Sequence, residues 1–235
     1  MSKGPVQHGA LGKGTGALLR NIILGGQDGL VNVLGIVLGV GAATISTKIV
    51  ILTGLVATFA ESISMAAVAY TSTKAAKSWY ESKFKQEAQE IKLVPKHGKQ
   101  EIEQIYAAKG FKGQLLNQVV RQITADKDLW LETMMREELG LSREEYAQPL
   151  RDGVVVGLAA LVGSLIPLVP FFFVSVYTGI WASFVCSTLA LFIVGVIKAK
   201  ITIGTPWRSG VELALIGILA ALAGYGIGQF VGLVL

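Results

Sequence analysis

The chain has 235 residues, 52% of them hydrophobic, with a mean hydropathy of +0.56, which is more apolar than a water-soluble core of this size carries. Its 21 Lys and Arg against 16 Asp and Glu give a formal charge of +5, which membrane topology and contact with anionic lipid headgroups explain without a nucleic-acid partner. The single cysteine, Cys186, leaves no intramolecular disulfide and no cysteine-based metal site.

Apolar windows of about 20 residues, the length that spans a hydrocarbon core of roughly 30 Å, lie at 21–43, 49–70, 153–174, 180–201 and 210–233. Between the second and third lies a charged stretch rich in acidic residues and methionine, 78–152. The expected fold class is therefore an all-α membrane protein: five transmembrane helices with a cytosolic helical insert between helices 2 and 3. The division is 1–77, 78–152 and 153–235. Residues 1–15 carry lysines but no apolar stretch before the first span, so no cleavable signal peptide is expected.

In the first span, Asp28 stands among glycines in Gly25-Gly26-Gln27-Asp28-Gly29. Helical spacing puts Asp28, Asn32, Gly35 and Gly39 on one narrow polar stripe, which should face protein or water. A charge near mid-membrane costs roughly 2.5 to 3.5 kcal/mol on insertion scales, so Asp28 is a candidate functional residue; the bland alternative is a cap near the interface, eight residues past Arg20. Gly35 and Gly39 fit the small-xxx-small pattern of close helix contact, a homodimer seam included.

The second span carries Glu61 and Met65 one turn apart. A carboxylate and a soft thioether on one face suit a borderline divalent ion such as Fe²⁺, and burial would let Glu61 exchange a proton for the metal. The competing readings are a protonated glutamate hydrogen-bonded in a helix interface for Glu61 and plain packing for Met65.

The insert reads as about three helices. The first, 74–93, continues the second span and carries Glu87 and Glu90 on one face. Pro95-Lys96-His97-Gly98 breaks it, and a second helix carries Glu101 and Glu103. Gly110 and Gly113 punctuate the chain before a stretch at 115–124, and the last helix, 126–139, ends at Gly140. It holds Trp130, Met134, Met135, Glu137 and Glu138. Acidic residues at this density are often only a solvated helix face, but adjacent methionines within an acidic helix are unusual.

The third span opens with Asp152-Gly153, echoing Asp28-Gly29 and suggesting a duplicated unit. Two prolines, Pro167 and Pro170, and an aromatic run close it. In the fifth span Glu212 follows Arg208 by four residues, and pairing between them is expected. Of the basic residues, Lys48 alone falls on one side of this arrangement and the other twenty on the opposite side. The positive-inside rule then puts the N-terminus and insert in the cytosol and the C-terminus outside.

Gln27-Asp28-Gly29, Ile63-Ser64-Met65, the block Trp130 to Leu141 with Met134-Met135-Arg136-Glu137-Glu138-Leu139-Gly140-Leu141, and Gly163 to Pro170 together resemble the vacuolar iron transporter family, in order and over nearly the whole chain. The resemblance implies a five-span homodimer that moves Fe²⁺, and often Mn²⁺, out of the cytosol in exchange for protons. A cytosolic three-helix domain would gather the ions, and the first spans of both subunits would line the pore. It assigns Asp28 and Met65 to the pore, and Glu87, Glu90, Glu101, Met134, Met135 and Glu138 to the cytosolic metal site.

Two positions depart from the family pattern. A motif glutamate is replaced by Gly98, with His97 or Glu103 as possible substitutes. The second-span glutamate of plant members corresponds to Ala57, and Glu61, one turn later on the same face, is expected to take its role.

No nucleophile–base constellation and no phosphate loop appears, so neither an enzyme nor an ATP-driven pump is expected. A ferritin-like oxidase would need paired Glu-x-x-His motifs, and the two histidines, His8 and His97, form none. No prosthetic group is expected; Fe²⁺, Mn²⁺ or Co²⁺ would be cargo. The partners expected are the bilayer, protons and a second copy. The cell membrane is expected over the vacuolar one, and a metal-gated channel without proton coupling is the alternative function.

Overall fold

The computed structural model describes residues 10–142, 148–202 and 204–234, with side chains from Gly16 onward. Among these residues the chain is helical, with no strand. Its elements are α1 (Ala10–Ala43), α2 (Thr47–Leu93), α3 (Pro95–Ala108), α4 (Gly113–Ala125), α5 (Lys127–Thr133), α6 (Pro149–Leu168), α7 (Val176–Ile201) and α8 (Pro206–Val234). The chain divides into two compact units, one formed by residues through Tyr70 and from Leu150 onward, the other by Thr71–Pro149.

In the first unit, five helices are long and apolar enough to cross a membrane by length and composition: α1, α2, α6 with the 3-10 turn Val169–Phe172 that follows it, α7 and α8. Helices α6, α7 and α8 each begin four residues before the apolar windows, α2 runs on past its window to Leu93, and the third span stops at Phe172, inside its window. Val33, Leu34, Val37, Leu38, Val50, Leu168, Phe171 and Val176 form a core in this unit. The outer faces remain apolar, with Leu52, Val56, Phe59 and Ile63 all exposed on α2. Such a surface would aggregate in water and is indifferent in hydrocarbon.

Glycines set the closest helix contacts. A Cβ at Gly224 or Gly228 of α8 would overlap the backbone of Gly35 or Gly39 of α1. The small-residue pattern of α1 is thus consumed within the chain and forms an intramolecular seam with α8. On α1, a Cβ at Gly25 or Gly29 would overlap the Val156 or Ala160 carbonyl of α6. At the far end of α6 the helix continues through Pro167 to Leu168, where the Ser183 hydroxyl of α7 donates to the Pro167 carbonyl at 2.7 Å.

The expected Arg208–Glu212 pair is absent among the described residues. Both side chains are exposed, and an Arg placed four residues before a Glu is the weaker helical order for such a pair.

The second unit contains the end of α2, then α3, α4 and α5. Helix α2 stops at Leu93 because proline follows Val94, whose φ of −132° and ψ of 60° leave the helical region. Pro95 then starts α3 at a position where its missing N–H costs nothing. Gly110 (φ 97°) and Gly113 (φ 56°) make the turn into α4 in a region that other residues rarely enter. Asp126 caps α5, its Oδ1 accepting from Asp128 N at 2.9 Å and Leu129 N at 3.2 Å.

The last helix of this unit is not uniform. From Met134 to Glu138 it widens into a π turn, with the Leu139 amide donating to the Met134 carbonyl at 3.3 Å. Gly140, at φ 65°, ends it. Tyr80, Ile91, Ile102, Ile123, Trp130, Leu131, Met134, Met135 and Leu141 form the core of the unit.

Candidate metal sites

In the second unit the reversal at Val94–Pro95 brings the end of α2 against the first turns of α3. Glu87 and Glu90 lie one turn apart on α2, and His97 and Glu101 one turn apart on α3. His97 Nδ1 stands 3.1 Å from Glu101 Oε1 and 3.8 Å from Glu90 Oε1. One ligand atom from each of Glu90, His97 and Glu101 fits within a mutual distance of 4.8 Å.

Glu87, one turn before Glu90, lies within reach of the charges of Glu90 and Glu101. It is 7% exposed, and no hydrogen bond or ion pair holds its carboxylate among the described residues. Burial pushes its pKa above the ordinary 4.5, and the charges of Glu90 and Glu101 push in the same direction, against a smaller effect of Lys83. Glu138 joins from the π turn. Desolvation of its carboxyl raises its pKa too, followed by the charges of Glu101, Glu87 and Glu90, while His97 opposes. Four carboxylates and one imidazole therefore share one field.

The π turn separates neighbours in sequence. Glu137 pairs with Lys109 of the α3–α4 connection, whose ammonium also lies 5.1 Å from the centre of the Tyr106 ring. Glu138 instead carries its charge into the acidic group. A pairing across 28 residues leaves no signal in the sequence, so the distinction between Glu137 and Glu138 was not readable there. Met134 and Met135 are each 1% exposed and packed in the apolar core with Ile91 and Ile102, which follow Glu90 and Glu101 in the chain.

The two substitutes suggested for the missing motif glutamate end up differently. His97 is in the group. Glu103 is exposed and stands two residues past Glu101, about 200° further round α3. Gly98 itself is buried, and a Cβ there would meet Trp130 Cζ2 at 3.0 Å. The Trp130 indole N–H, buried next to it, has no hydrogen-bond partner among the described residues.

In the first unit, Gly25 and Gly29 press α1 against α6, and Asp28 is turned toward α2. Glu61 of α2 faces both Asp28 and Asn32. The Asn32 amide donates to Asp28 Oδ2 at 3.4 Å. The structure thus joins the acidic residues of two apolar helices, 33 positions apart in sequence. Met65 is half-buried one turn beyond Glu61. One turn before Glu61, Ala57 packs beside the apolar core, so the carboxylate at 61 is the one placed opposite Asp28.

Asp152, the echo of Asp28, has a different role: it accepts a hydrogen bond from Asn21 Nδ2 at 2.9 Å, tying the start of α6 to α1.

Residues 19–229 match the sequence model of the VIT family. Relatives include vacuolar iron transporter 1 of Tulipa gesneriana, 32% identical over 215 residues that cover 91% of this chain and 87% of the relative. Vacuolar iron transporter 1 of Arabidopsis thaliana is 32% identical over 217 residues, 92% and 87% of the two chains. The vacuolar iron transporter of Plasmodium falciparum is 31% identical over 220 residues, 89% and 81%.

Proposed function

This chain belongs to the VIT family, and from that premise we propose that it carries divalent iron across a membrane, out of the cytosol, in exchange for protons. Its relatives bear the name of vacuolar iron transporters, which are carriers and not enzymes. The observation that carries the reading is the facing pair Asp28 and Glu61 within apolar helices. Carboxylates placed in hydrocarbon are costly and are kept where an ion or a proton passes.

In the proposed cycle the hydrophilic unit loads the ion. Glu87, Glu90, Glu101 and Glu138 supply oxygen ligands of modest, exchangeable affinity, with Met134 and Met135 as thioether donors that favour borderline metals over Mg²⁺ and Ca²⁺. The ion then moves to Asp28, Glu61 and Met65. Carboxylates bind a metal ion in their deprotonated form, so in this cycle metal binding releases a proton and metal release takes one up. That alternation couples iron leaving the cytosol to protons returning.

The topology proposed is five spans with the N-terminus and hydrophilic unit in the cytosol, a reading that the lopsided basic residues support. We take the working form to be a homodimer with the two first helices lining the path, in the cell membrane. Mn²⁺ is the second cargo, since the same donors accept it.

The test is uptake of Fe²⁺ and Mn²⁺ into proteoliposomes whose protein has its hydrophilic unit outside, with and without an acidic lumen. Uptake should rise when lumenal protons can leave. Uptake that ignores the gradient would replace the exchanger with a metal-gated channel.

A further inference from the structure

We propose that His97 is a metal ligand, its Nδ1 acting with the carboxylates of Glu90 and Glu101 to make the loading site a mixed nitrogen–oxygen site. The proposal deepens the loading role given above and rests on it. The chemical consequence is selectivity: an imidazole donor favours Fe²⁺, Co²⁺ and the later first-row ions over Mg²⁺ and Ca²⁺ more strongly than carboxylates alone.

Three observations carry it. The donor atoms are already gathered, with His97 Nδ1 at 3.1 Å from one carboxylate and 3.8 Å from the other, and all three within 4.8 Å. Ligands each about 2.1 Å from a common ion stand roughly 3 to 4.2 Å apart, so small side-chain movements close the site. Second, Glu87, which feels the charges of Glu90 and Glu101, is only 7% exposed and has no hydrogen-bond or ion-pair partner among the described residues. A buried carboxylate beside two others calls for a cation. Third, Gly98 offers no side chain and is sealed by the Trp130 ring, so the donor on this turn of α3 is its neighbour His97.

The histidine content makes the test specific, because His8 is the only other imidazole. Full-length protein in detergent, purified without a histidine tag, is loaded with Mn²⁺ alone and measured by pulsed electron paramagnetic resonance for ¹⁴N coupling. Co²⁺ affinity is measured in parallel, with Mg²⁺ as competitor. Coupling is expected in the wild type and in His8→Gln and is expected to vanish in His97→Gln. Co²⁺ binding should then weaken at least about tenfold, the lower end of the effect of losing even an outer-shell partner.

The His97 side chain is 55% exposed, so the substitution leaves the core intact and the melting temperature should not move. His97→Glu should recover Mn²⁺ binding but not the preference for Co²⁺ over Mg²⁺. Saturable binding without nitrogen coupling, or coupling that survives in His97→Gln, overturns the ligand role and leaves the carboxylate loading site standing. Absence of saturable Mn²⁺ and Co²⁺ binding by the wild type overturns both.

Discussion

At Glu87, burial and neighbouring charge act in one direction, and the consequence for pH can be worked out. The folded pKa is raised above 4.5, so between those two values the folded chain holds more protons than the unfolded one. Stability without metal therefore falls as pH rises through that window. Glu87→Gln should melt at a higher temperature than the wild type in chelator at neutral pH, and the advantage should disappear below the ordinary carboxylate range. Metal binding has the opposite sign because it needs the charged form. Affinity for Co²⁺ should begin to fall on acidification at a pH above 4.5, which a titration series would reveal. At Met135 packing and ligation can be separated. Met135→Ala should cost about 2–5 kcal/mol, the range for emptying a filled core position. Met135→Leu should keep most of the stability; if the thioether binds metal, Fe²⁺ affinity will drop in this variant while its melting temperature holds.

Helices α1 and α8 meet backbone to backbone, which only glycine permits. Gly228→Val places carbon inside the Gly39 backbone and should cost at least 1–3 kcal/mol, the usual scale of overpacking. The expected readout is loss of the monodisperse peak in detergent size-exclusion chromatography. Gly226, two residues away, has nothing within 4 Å of an added Cβ, and Gly226→Ala should elute as wild type. The π turn is an element-level device of another kind. By widening the helix at Met134–Glu138 it keeps both methionines in the core while Glu138 reaches the acidic group and Glu137 pairs with Lys109. Wide turns of this kind often occur at functional sites.

In the proposed cycle, loading and passage belong to different units of the molecule. The acidic group with His97 lies wholly in the second unit, and Asp28 with Glu61 wholly in the first. Asp28→Asn and Glu61→Gln should abolish metal uptake into proteoliposomes while leaving Co²⁺ binding by detergent-solubilised protein within about twofold of wild type. Glu101→Gln should do the converse, weakening binding by roughly tenfold or more, the scale for losing even an outer-shell partner. Its uptake should be recovered by raising the metal concentration. Normal Fe²⁺ transport by the Glu61 variant would remove the carboxylate pair from the proposed path.

Much of this is settled by residue type and spacing alone. Long apolar windows can be satisfied only as helices, because backbone groups in hydrocarbon have no other partner, and the Pro95, Gly110, Gly113 and Gly140 breaks were readable from their conformational restrictions. The acidic candidates were legible too, since carboxylates in apolar helices and methionines in an acidic helix violate the ordinary pattern. Tertiary structure decided which of them meet. Nothing in the spacing says that Asp28 faces Glu61, that Glu137 is tied to Lys109 while Glu138 is not, or that His97 and not Glu103 joins Glu90 and Glu101. Nor does it say that Gly35 and Gly39 are taken up by α8 within the chain. These are contacts between distant segments, fixed by how helices pack and turn, and a periodic pattern specifies the face of a helix without naming what lies against it.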